Sequence, residues 1–65
     1  MTYQEAQMAR NDIAVIQATS IPVMRRDIHA ATGISTDTVT RVLRRLVAAG
    51  VVSRLPKFHY KISDV

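Results

Sequence analysis

The stretch from Ser35 to Gly50 constrains this chain more than any other. Val39, Val42, Leu43, Leu46 and Val47 recur at the i, i+3, i+4, i+7, i+8 spacing of a helix that buries one apolar face. Ser35 offers an N-cap oxygen, Asp37 places an anion in the first turn where the helix dipole favours it, and Gly50 stands just past the end. The pattern predicts a helix over residues 36–49. Just upstream, Gly33 can adopt the left-handed conformation that stops a helix, so a shorter helix is expected over residues 25–32, with Ile28 and Ala31 turned inward. Only Gly33, Ile34 and Ser35 separate the two.

The flanks complete one small domain spanning residues 1–65. Thr2 and Glu5 stand at capping-box spacing, so a first helix should begin at Tyr3 and run over residues 3–18. Ala6, Ala9, Ile13 and Ile16 are the expected buried stripe of that helix. Ser20, Ile21 and Pro22 interrupt it, because proline cannot continue a helix, and a short edge strand or loop is expected there. After Gly50, two β-rich runs, 51–55 and 58–62, read as a hairpin around Pro56 and Lys57. Pairing Leu55 with Phe58 would put Val51, Leu55, Phe58, Tyr60 and Ile62 on one face and Arg54, His59 and Lys61 on the other. Pro-Lys is a poor two-residue turn, so a tip one or two residues longer is also open. Residues 63–65 read as a frayed tail. The fold class is mainly α with a small β-hairpin.

Composition narrows the function. Cysteine is absent, which removes disulfides and thiolate metal sites, and neither His29 nor His59 has partners at metal-ligand spacing. No cofactor and no small-molecule ligand is expected. Apolar runs are too short to span a membrane and the N-terminus lacks the regions of a signal peptide, so a cytoplasmic location is expected. There is no nucleophile with a plausible base, no paired carboxylates and no phosphate loop, so the chain is not expected to be an enzyme. Nine Lys and Arg against five acids give a net charge of +4, which favours a polyanionic partner. Met1, Met8 and Met24 read as initiation and gap-filling, and Tyr3 and Tyr60 as parts of a small core rather than base-stacking platforms.

A short glycine-containing turn between two helices, with an apolar residue inside it, is the spacing of a helix-turn-helix. The stretch from Arg25 to Leu46, with Arg25, Arg26, Ile28, Gly33, Ser35, Val39 and Leu43 at its key places, resembles winged helix-turn-helix regulators. The Ala-Gly-Val-Val-Ser-Arg that follows is similar to their entry into the wing. The resemblance implies a three-helix winged helix-turn-helix fold with a recognition helix over residues 36–49 and a wing over 51–62. It also implies sequence-specific double-stranded DNA binding and transcriptional regulation, for example as a repressor. The compactness is similar to regulators of phages and mobile elements. Two positions depart from the usual pattern. His29 stands where a small Ala normally lets the two helices cross, so either the crossing widens or the imidazole lies at its edge. Met24 stands where Ser or Thr normally caps the second helix.

Opposite its apolar stripe, the third helix carries Asp37, Arg41 and Arg44, with Thr38, Thr40 and Arg45 at the margins. Arginine can bond guanine O6 and N7 together, and short hydroxyls permit close approach in the major groove. Ser35, Thr36, Asp37, Thr40, Arg41, Arg44 and Arg45 are therefore the candidates on this helix. Asp37 could accept from a cytosine amine, although stabilising the helix start is its simpler role. Arg25 and Arg26 sit where the dipole of the second helix disfavours cations, so phosphate contact would explain them better than local stability. Arg54, Lys57, His59 and Lys61 are expected to hold the backbone or minor groove from the wing. A homodimer through the first helix, using Ala6, Met8, Ala9 and Val15, would read paired half-sites. Two other readings stand beside this one. The first is an architectural recombination directionality factor, and the second is a winged helix that docks an acidic protein.

Overall fold

The computed structural model describes residues 2–63, with the side chains of Tyr3, Gln4 and Gln7 outside the description. The elements run α1 (Tyr3–Ala18), β1 (Val23–Met24), α2 (Arg25–Thr32), α3 (Thr36–Ala48), β2 (Val52–Leu55) and β3 (His59–Ile62). This is a three-helix winged helix-turn-helix layout. Its sheet is antiparallel in the order β1-β3-β2, so the residues after Pro22 do form an edge strand, pairing Val23 with Tyr60 and Met24 with His59.

Local chemistry accounts for the helix ends. The Thr2 hydroxyl accepts from the Glu5 N–H at 3.2 Å while the Glu5 carboxylate accepts from the Thr2 N–H at 3.4 Å, which completes the capping box. Met24 caps α2 without a side-chain bond, and Asp27 supplies half of what is missing by accepting from the Met24 N–H at 3.0 Å. Gly33, at φ 73°, closes α2 in the left-handed region. At the end of α3 the Gly50 N–H donates to the Val47 carbonyl and the Val51 N–H to the Leu46 carbonyl, with Gly50 at φ 78°. That pair of bonds is a Schellman motif, and it turns the chain directly into β2.

Val15, Ile28, Val39, Val42, Leu43, Leu46 and Val52 form the buried core, with Ile16, Ala18, Val23, Ile34, Val47 and Tyr60 packed around it. The α3 stripe is buried as the spacing predicts, whereas Ala31 is exposed. The expected α1 stripe is covered only in part: Ile16 packs against the core and Ala6 is half-buried. Val15 is fully buried, but Ala9 is exposed and Ile13 is 56% exposed. The covered face instead carries Val15 and Thr19, whose side chain is fully buried because its hydroxyl is shared between the Val15 and Ile16 carbonyls at 3.0 and 2.9 Å. The Thr19 carbonyl in turn accepts from the Ile62 N–H at 2.9 Å, tying the end of α1 to β3. Polar residues on the covered face hid it from a count of apolar spacing. Val15 therefore has no place in a dimer surface, while Met8 and Ala9 remain exposed.

The hairpin differs by one residue from the simplest expectation. Leu55 pairs with His59, Arg54 with Tyr60, Ser53 with Lys61 and Val52 with Ile62, around a three-residue turn, Pro56–Phe58. Because side chains alternate across a strand, the added residue flips β2 relative to β3. Val52, Arg54, Tyr60 and Ile62 share one face, and Ser53, Leu55, His59 and Lys61 share the other. Val52 rather than Val51 is thus the core residue. Phe58 leaves the core face altogether and is 67% exposed at the tip.

Candidate nucleic-acid interface

The outward side of α3 is built by the same periodicity that buries its other side. With Val39, Val42, Leu43 and Leu46 turned inward, Thr36, Asp37, Arg41 and Arg44 are left exposed in one row, with Thr40 half-buried at its edge. The Ser35 hydroxyl accepts from the Thr38 N–H at 3.4 Å and donates to the Thr38 hydroxyl at 3.0 Å, so its first role is to cap the helix. Asp37 occupies the first turn. Among the described residues no acid pairs with Arg41 or Arg44, which leaves both guanidinium groups free for an external anion.

Arg45 has a different environment. Its guanidinium donates to the Asp12 carboxylate of α1 in a partly exposed ion pair, so this arginine braces the α1–α3 contact. Nothing local links Asp12 to a residue so far along the chain, so residue spacing carries no sign of the pair.

Arg25 is aimed by a bond that sequence spacing also hides. Its Nη1 donates to the Thr40 hydroxyl at 3.1 Å, and that hydroxyl donates to the Thr36 carbonyl at 2.9 Å. The start of α2 is thereby strapped to the outward edge of α3, carrying its cations with it. Arg26 is exposed beside it. Arg25, Arg26, Thr36, Asp37, Thr40 and Phe58 line one groove of about 510 Å³. A second groove of about 400 Å³ runs between α3 and the sheet, lined by Arg25, Thr40, Arg44, Arg54, Phe58 and Tyr60 among others.

The expected wing residues are divided by the register. Arg54 lies on the sheet face that meets α3, across from Tyr60, and joins the recognition side through the second groove. Lys57 is exposed at the tip. His59 and Lys61 are half-buried on the opposite sheet face, so they are not brought to the α3 row. A single basic wing face of Arg54, His59 and Lys61 does not exist, because the three-residue turn flips β2.

The departure at His29 is resolved by position. Its ring is exposed and Nδ1 donates to the Ile34 carbonyl, so the imidazole lies at the edge of the crossing and closes the turn between α2 and α3. The Thr32 hydroxyl supports the same turn, donating to the Ile28 carbonyl at 2.7 Å and accepting from the Ile34 N–H at 3.2 Å. The angle at which α3 is presented is thus held by polar side chains as well as by Gly33.

No protein-family model, curated protein or solved structure matches the chain. No group of three or more metal-ligating side chains occurs among the described residues. Nor is any described helix long and apolar enough to cross a membrane.

Proposed function

We propose that this protein binds double-stranded DNA in a sequence-specific manner and regulates transcription, with α3 in the major groove and the wing against the adjacent backbone. The observation that supports this reading is the outward row of α3, where Arg41 and Arg44 stand unpaired among short hydroxyls, flanked by Arg25 and Arg26 on one element and Arg54 on another. A helix fits the major groove, and arginine there reads guanine by a bidentate bond worth about 1–3 kcal/mol of discrimination. Cations supplied by α2 and the wing would contact phosphates and set the register of the helix without reading sequence.

Binding to duplex DNA measured across a salt series tests the reading. With about five phosphates neutralised, log affinity falls against log salt with a slope near −4.5. Arg41→Ala should weaken a selected site by about 1–3 kcal/mol and mixed-sequence DNA much less. Negligible binding to any duplex at low salt would refute the proposal.

A further inference from the structure

Phe58 is the chain's single phenylalanine, and the fold leaves it at the tip of the hairpin with its ring two-thirds exposed. The backbone that carries it is unusual. Lys57 and Phe58 occupy consecutive positive φ values, 60° and 62°, in a region that side-chain-bearing residues avoid and that Asn-Gly would enter without strain. The turn holds a large apolar ring largely in solvent, at the rim of the groove that Leu43, Val47 and Tyr60 also line.

The position of the ring is equally specific. Phe58, like Arg25 and Thr40, lines both grooves, with Arg44 and Arg54 along one and Arg26, Thr36 and Asp37 along the other. It thus lies beside Arg44, one of the two unpaired arginines of α3. A ring ringed by cations suits a partner whose surface is anionic but whose interior presents flat apolar faces. Stacked bases behind two rows of phosphates have that character, and apolar wedges that enter base steps from the minor groove kink duplexes in this manner.

Resting on the DNA-binding reading above, we propose that Phe58 is a wedge: when α3 occupies the major groove, the wing tip drives this ring into a neighbouring base step and bends the duplex. The cations beside it anchor the phosphates on either side of the opened step. Pyrimidine–purine steps, which unstack most readily, are the preferred place of entry.

The test uses end-labelled duplexes of roughly 30 base pairs, a selected site and a mixed-sequence control, with binding by anisotropy and bending by energy transfer between the ends. The full chain should shorten the end-to-end distance of the selected duplex on binding. Phe58→Ala should retain its circular dichroism and melting curve, because the ring is outside the core, yet bind roughly tenfold more weakly and leave the duplex straight. Phe58→Leu, which keeps an apolar wedge, should restore part of the bend. A bound duplex that stays straight with the unsubstituted protein, or that bends equally with Phe58→Ala, would overturn the wedge while leaving DNA binding in place. Absence of binding to either duplex at low salt would remove both.

Discussion

α1 and α3 pack against each other, and α1 carries more apolar residues than α3, yet they use them in different ways. α3 is contacted by α1, α2 and β2, so nearly every apolar side chain it owns is covered and its polar side is a continuous row. α1 meets α2 and α3 but not β2 to the same extent, so Val15 is covered while Met8 and Ile13 are about half exposed. The difference shows that a helix's buried face is set by what is available to cover it. Apolar spacing reports that face faithfully only for an element surrounded on several sides.

Truncating side chains on the two helices should have unequal effects. Leu43→Ala in α3 should lower unfolding free energy by about 2–5 kcal/mol, since it removes a fully enclosed side chain from the centre of the core. A chemical-denaturation loss under about 1 kcal/mol would mean that α3 is not the central element. On α1, Val15→Ala should cost about 2 kcal/mol and Ile13→Ala less than about 0.5 kcal/mol. The reverse order would put Ile13 rather than Val15 on the covered face.

Smaller effects sharpen the contrast at the helix ends and margins. α1 and α3 begin on hydroxyl caps, whereas α2 begins on Met24. Met24→Thr should raise stability by about 0.5–1 kcal/mol in thermal or denaturant unfolding, and no gain would show that Asp27 already suffices. Smallest of all, Arg45→Ala should lower stability by about 0.2–1 kcal/mol, the range of exposed ion pairs. It should leave the preference for a selected duplex unchanged, in contrast to Arg41→Ala. Loss of that preference in Arg45→Ala would move this arginine from the α1 contact to the reading face.

The α2–turn–α3 unit was readable in outline from particular residues. Gly33, Ser35 and the Val39/Leu43/Leu46 stripe act within a few residues of themselves, and the two helices lie where those residues put them. The exposed row of Thr36, Asp37, Arg41 and Arg44 follows from the same periodicity, so this half of the candidate site could be derived before any packing was considered. The wing half could not. Whether two or three residues make the turn decides which face Arg54 occupies and whether Phe58 is core or tip, and Pro56 and Lys57 specify neither number.

By itself the sequence determined the helices, their caps and the glycine stops, because these depend on hydrogen bonds and dihedral preferences that close within a single turn of chain. Tertiary structure alone decided the covered face of α1, the flip of β2, the bracing of Arg45 by Asp12 and of Arg25 by Thr40, and the outward ring of Phe58. Each of these depends on groups far apart along the chain, and their meeting is set by how the elements shield one another from water.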